Sequence, residues 1–451
     1  MSSRGQQPEF SSSDSPGACR TFDRHANKKV PTCRAPTRRL ASRPFLQTSM
    51  RWGQKMHFQS NSDPLFTPLR VNTTTVQNRF VMPAMQRGMR DYTPTENMIE
   101  TLRRCGQGGS GIIISEGAAP DHPAAYWQPL FGIIGHDSAE EWRRVARAVT
   151  GAGNNTFLMQ LWHPGALRLI VDGVPNPFPD QPALSPSGLV QEGRPNGVAM
   201  TAQDLEDTKA AYVQSALIAQ EVGAHGIEVH CAHGYLLDLF LWHETNKRQD
   251  KYGGATLADR ARYPAEIVSA IREATGPDFI ISFRFSQWKE VDYGARIAEH
   301  PDALGPFLAR IQDAGADMFH VSTRRFDAVA WPELDARRSL ASWVKTMTDL
   351  PVVAIGSVGL TTDLARDMFD NEDSELQVED DIARVRLGLE AGDFDLIGVG
   401  RAQIANNDFV NRVRSSDFAD MRNFRKYVDL ADAYESYAHE GQLVDQSRKT
   451  E

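Results

Sequence analysis

"GIEVHCAHGYLLDLFLW", Gly226–Trp242, opens as an apolar run and then changes character. Gly226–His230 reads as a strand buried on both faces, because a near-continuous hydrophobic run offers no polar face to water. Three proton-capable side chains, His230, His233 and Tyr235, follow within six residues. Titratable groups at the end of a buried strand sit where α/β folds keep their chemistry, at the carboxyl ends of strands. The fold turns on how many further strands of this kind the chain holds.

Three lie upstream: Arg79–Ala84 (RFVMPA), Gly111–Glu116 (GIIISE) and Thr156–Leu161 (TFLMQL). Four lie downstream: Phe279–Phe285 (FIISFRF), Asp317–Ser322 (DMFHVS), Pro351–Gly356 (PVVAIG) and Phe394–Gly400 (FDLIGVG). Amphipathic stretches separate them. The clearest, Asp204–Val222, is opened by the capping-box pattern TAQD from Thr201 and stopped by Gly223. Eight strands alternating with helices predict an α/β protein, a (β/α)8 TIM barrel in a single domain over residues 63–451, with loop insertions and C-terminal helices. A doubly wound open sheet is the alternative; the absence of G-x-G-x-x-G after the first strand weighs against it. The Pro/Gly-rich stretch Val171–Gly197 predicts a long loop over the barrel mouth. Asp370–Asp381, with seven acids and no base, predicts a solvated surface segment.

Residues 1–62 differ in kind. They are rich in Ser, Arg, Pro and Gln, without periodicity, and read as a disordered basic extension. Arg24–Ser62 has nine basic residues and no acidic one, which is transit-peptide chemistry and would direct the chain to mitochondria. We read it as an ordinary tail, or a start placed too early with Met56 as the true one, and with it a cytoplasmic location; the mitochondrial transit segment is the alternative. The tail holds eleven of the 49 Lys/Arg and three of the 58 Asp/Glu, so the remainder is strongly acidic. An acidic body repels nucleic acid and anionic membrane surfaces. No segment approaches the apolar length that spans a bilayer. The four cysteines, Cys19, Cys33, Cys105 and Cys231, form no C-x-x-C pair, which argues against a zinc site, a disulfide scaffold or an iron–sulfur cluster and fits a reducing compartment. Cys231 reads as a small buried residue rather than a nucleophile.

Read in order, the strand ends carry Ala84-Met85-Gln86, Glu116-Gly117, Gln160-Leu161-Trp162-His163, His230/His233/Tyr235, Arg284, Ser322, Gly356-Ser357-Val358-Gly359 and Gly400-Arg401. Glycine turns after strands seven and eight, with an arginine, make a phosphate site. Gln160 offers an amide that both donates and accepts, as a heterocycle requires. Arg284 offers a fixed cation that needs an anionic or electron-rich partner. A phosphate, a ring with polar edges and a place for negative charge together suggest FMN. Clustered Asp/Glu/His at several strand ends, which a metal-dependent hydrolase would need, are not found.

The chain resembles the Old Yellow Enzyme family of FMN-dependent ene-reductases over roughly Asp63–Phe409. The resemblance rests on PLFTPLRVNTTTVQNRFVMPAMQRG, QLWHPG, GIEVHCAHGYLLDLFLWHETNKRQDKYGG followed by DRARYP, and GVGRAQIANNDF, all in register. It implies that His230 and His233 hydrogen-bond the carbonyl oxygen of an α,β-unsaturated substrate, a small electrophilic alkene. Reduced FMN then gives hydride from N5, and Tyr235 gives a proton to the α-carbon. It implies flavin contacts at Ala84, Met85, Gln86 and Gly117, at Gln160 on the pyrimidine edge and at Arg284 on N1 and O2. It implies phosphate contacts at Gly356, Ser357, Gly400 and Arg401. NADPH or NADH would serve as reductant, binding directly over the flavin, and a homo-oligomer is compatible with the pattern. Gln86 departs from the threonine or cysteine usual in relatives, which puts the flavin potential in question. Ala84 replaces a frequent proline. Trp162 and His163 read as pocket wall. An FMN barrel dehydrogenase, a redox-neutral isomerase, and a non-catalytic flavin-binding barrel are the alternatives.

Overall fold

Each of the eight apolar runs forms a strand in the computed structural model, which describes residues 63–363 and 374–430. They are β1 (Phe80–Met82), β2 (Ile112–Ile114), β3 (Thr156–Leu161), β4 (Gly226–His233), β5 (Ile280–Lys289), β6 (Met318–Ser322), β7 (Val352–Ile355) and β8 (Leu396–Gly398). Each pairs in parallel with its sequence neighbours, and β8 pairs with β1. The ring is closed, so the barrel has no unpaired edge and the open-sheet alternative falls.

A helix follows every strand: α1 (Glu96–Gln107), α2 (Ala139–Thr150), α3 (Ala202–Glu221), α4 (Arg262–Thr275), α5 (Leu304–Asp313), α6 (Leu340–Lys345), α7 (Val378–Ala391) and α8 (Arg401–Ala405). Thr201 caps α3 as read: its side chain accepts from the Asp204 amide while Asp204 reaches back to the Thr201 amide. None of the described helices is long and apolar enough to cross a membrane.

Strand alternation divides the core into two layers. On β5, Phe283 and Phe285 face outward onto Phe307 of α5, at ring distances of 6.1 and 5.3 Å. Ser282, Arg284 and Ser286 therefore face the barrel axis. An N-terminal hairpin (Leu69–Val71 with Thr74–Val76) packs Val71 and Val76 against Val81, Ile112, Leu158, Ile280, Met318, Val353 and Leu396. These residues lie near the strand starts, so the bottom of the barrel is plugged by hydrocarbon. Chemistry is left to the other end.

Two readings need correction. β4 runs to His233 and β5 to Lys289, past the predicted ends. A register shift between Cys231 and His233 lets His233 pair with Lys289, and the His233 amide donates to Ser286 Oγ at 2.9 Å. The loop Val171–Gly197 contains a short hairpin, in which Leu189–Gln191 pairs with Arg194–Pro195. The acidic segment is not wholly solvated. Its residues 370–373 lie outside the described residues, as do residues 1–62, but Asp381 in the first turn of α7 is fully buried and accepts the Gly359 N–H at 2.7 Å.

Candidate functional site

The inward faces of β3 to β6 carry a polar ladder. Register pairs Glu228 with Gln160 and Ser282, and Arg284 with His230 and His320. A period of two then puts Glu228 and His230 on one face of β4. Glu228 is 0% exposed. One of its oxygens accepts from Gln160 Nε2 at 2.8 Å; the other accepts from Ser282 Oγ at 2.9 Å and lies 2.7 Å from His320 Nδ1. The Arg284 guanidinium stands 4.0 Å away. Burial opposes ionisation of Glu228, but the hydrogen bonds from His320 and Gln160 and the charge of Arg284 outweigh it and hold the carboxyl below its usual range. Burial holds the His320 imidazole below its usual range. We assign it as neutral, with Nδ1–H donating to an ionised Glu228.

Beside this ladder lie the three residues of the opening motif. His230 is buried, with its ring 5.0 Å from that of His233 and 5.4 Å from that of Tyr235. His233 has φ +65°, stacks on Trp288 at 4.1 Å, and pairs Nε2 with Ser322 Oγ at 2.8 Å. Arg284 donates to the same hydroxyl at 3.3 Å. Burial pushes both imidazoles well below the usual histidine range, with Arg284 adding to the effect. Tyr235 starts the short helix Leu236–Leu241 and packs edge-on against Trp162 at 5.1 Å. Trp127 and Phe131 continue that aromatic cluster around Trp162. His163 is fully buried, its Nδ1 accepting the Gly165 amide.

The turn that carries these groups is held from below. Asp238 and Lys289, both 0% exposed, form an ion pair at 2.7 Å. Asp238 also accepts the Gly234 N–H at 2.6 Å. Gly234 has φ +86°, a backbone that glycine adopts without strain.

Two further groups of predicted residues come together. Gly117 lies against Gln160, where a Cβ would stand 2.7 Å from Oε1. At β7 and β8, Arg401 donates to Ser357 Oγ at 3.0 Å, to Thr362 O and to Ser374 Oγ. Gly356 and Ser357 both have positive φ, +151° and +50°. A Cβ on Gly400 would lie 3.0 Å from Met85 Sδ, which ties the β8 turn to the loop after β1. Ala84 and Met85 are half-buried on that loop. Gln86 donates to Leu130 O at 2.9 Å, so its extra length over threonine or cysteine is used to brace two loops.

Residues 64–376 match the NADH:flavin oxidoreductase / NADH oxidase family. The chain belongs to this family. It is 29% identical to 12-oxophytodienoate reductase 7 of Oryza sativa subsp. japonica over 369 residues, 78% of this chain and 88% of that protein. It is 30% identical to an NADH oxidase of Thermoanaerobacter brockii over 305 residues, but the match spans only 45% of that relative's length. Among solved structures, Old Yellow Enzyme from Pichia sp. AKU4542 superposes with a TM-score of 0.64 at 24% identity, over 82% of this chain and 91% of that one. That likeness shows the fold.

The NADH:flavin oxidoreductase / NADH oxidase family is FMN-dependent, and the residues here fit a flavin. His230 Nδ1, His320 Nε2 and Arg284 Nε are buried polar atoms without a hydrogen-bond partner in the protein, which is unusual unless a ligand supplies one. Glycine at 117 leaves room beside the Gln160 amide. Sequence reading missed Glu228 and His320. The available signal was position: each lies two residues before a strand-end candidate, His230 or Ser322, on the same strand face.

Proposed function

We propose that this chain is an NAD(P)H-dependent FMN oxidoreductase that reduces the activated C=C bond of α,β-unsaturated carbonyl compounds. The observation that carries the reading is His230, buried with an unpartnered Nδ1 and flanked at 5.0 and 5.4 Å by the rings of His233 and Tyr235. Gln160, Gly117 and Arg284 would hold the flavin ring, Ala84, Met85 and Gln86 its edge, and Gly356, Ser357, Gly400 and Arg401 the phosphate. Bound there and reduced by NADPH or NADH, FMN supplies a hydride donor.

The chain's own residues supply the rest. A neutral imidazole carries one N–H. His230 and His233 are kept neutral by burial, so each can donate a hydrogen bond to a substrate carbonyl oxygen without giving up a proton. Such donors stabilise negative charge as it develops on that oxygen. Tyr235 is then the group that gives a proton to the α-carbon. The aromatic wall of Trp162, Trp127 and Phe131 excludes water from the reacting face.

The test is turnover of 2-cyclohexenone by FMN-loaded protein with NADPH or NADH, read as cyclohexanone. Tyr235→Phe should slow product formation by about 10²-fold or more while reduction of the flavin by the nicotinamide stays within a few-fold. Flavin-loaded wild type that consumes nicotinamide and forms no saturated ketone overturns the reading.

A further inference from the structure

We propose that Glu228 is a positioning residue that sets the reduction potential of the bound flavin by partly neutralising Arg284 and by fixing the Gln160 amide. The inference rests on the flavin reading above and goes beyond it.

The argument starts from the cost of the group. A fully buried carboxylate is retained only where several partners satisfy it. Glu228 has four: Gln160, Ser282 and His320 by hydrogen bonds, and Arg284 by charge. Two of these, Gln160 and Arg284, are residues that would face the ring. Gln160 spends its Nε2 on Glu228, so its Oε1 is the atom turned towards Gly117. Without the carboxylate the amide has no reason to keep that orientation.

The charge argument is independent of the hydrogen bonds. Arg284 would lie where a reduced ring carries negative charge, and a cation there favours the reduced form. Glu228 at 4.0 Å opposes that field from behind. In a buried site the opposition is poorly screened. Glu228, held below the usual carboxylate range by its hydrogen bonds and by Arg284, keeps that opposing charge.

The experiment is the midpoint potential of FMN on the holoprotein, measured at one fixed pH against a reference dye, for wild type, Glu228→Gln and His320→Gln. Glu228→Gln removes the charge and should move the equilibrium towards reduced flavin by about tenfold or more, which is about 30 mV upward for a two-electron couple. His320→Gln leaves the charge in place and should shift the equilibrium by less than about threefold. If Glu228→Gln does not fold because Arg284 is left unpaired, the comparison is made between Arg284→Gln and the double variant, where no buried cation is stranded; removing Glu228 should still move the potential upward there through its own charge, and an unchanged or lower potential overturns the inference. An unchanged potential in the charge-removing variant, or an equal shift in His320→Gln, overturns the inference while leaving the flavin reading intact. Wild-type protein that takes up no FMN overturns the flavin reading and this inference with it.

Discussion

Removing the Asp238 carboxylate tests the site's foundation. In Asp238→Ala the Lys289 ammonium, 0% exposed, keeps only Ser286 O at 3.4 Å and the Trp242 ring at 5.9 Å. Breaking a buried pair by deleting one partner costs about 3–5 kcal/mol. An independent limit comes from the lysine itself, which can shed its proton. Moving from an unperturbed value near 10.4 to neutrality at pH 7 costs about 4.6 kcal/mol. The lost hydrogen bond from the Gly234 amide adds about 1 kcal/mol. A total of about 4–6 kcal/mol, spread over an unfolding entropy of about 2.1 cal/mol/K per residue for roughly 360 residues, lowers the melting temperature by about 5–8 °C. Calorimetry or a dichroism melt at fixed FMN concentration reads it, because bound ligand would otherwise move the baseline. The sign of the pH response is a second check. In the variant, folded Lys289 is neutral while the unfolded chain still binds the proton, so stability rises with pH by about 1.4 kcal/mol per unit towards 10. Asp238→Leu with Lys289→Met should recover most of the loss. A single variant that melts within 2 °C of wild type, with no gain between about pH 7 and 9, would refute the buried pair.

Other outcomes follow from the same structure. His163, His230 and His233 are each held by burial well below the usual histidine range. The unfolded chain therefore binds protons first, and each costs about 1.4 kcal/mol per pH unit as pH falls below about 6.5; a His163→Asn variant should show a shallower acid limb in urea titrations between pH 6.5 and 5. Gly117→Ala places a methyl 2.7 Å from Gln160 Oε1 and should weaken FMN binding by about tenfold or more, equivalent to about 1.4 kcal/mol, as read by fluorescence titration of the flavin-free protein. Thr201→Ala removes the α3 cap and should cost about 1 kcal/mol without changing flavin content.

The strands were legible because a closed parallel barrel buries both faces of each, and burial leaves an unbroken apolar run in the sequence. The α3 boundaries were legible because Thr201 and Asp204 form a local capping pair. His230, His233 and Tyr235 announced themselves by breaking an apolar run. Glu228 and His320 did not, since each is a lone polar residue inside a strand. Their partnership spans 92 residues and exists only once β4 and β6 face one axis. Asp238 and Lys289 were hidden for the same reason, with 51 residues between them. Gln86 was visible as a departure, but its bond to Leu130 depended on where a loop 44 residues away would return. Asp381 was misread as solvated because a run of acids does not show which one the helix turns inward.

The central claim is that one site takes hydride from a nicotinamide and passes it to an activated alkene. Purified protein loaded with FMN is reduced anaerobically with one equivalent of NADPH or NADH, and 2-cyclohexenone is then added while the visible flavin band is followed. The account predicts that the band bleaches with the nicotinamide and returns with the enone. A band that bleaches and stays bleached until oxygen is admitted would contradict it.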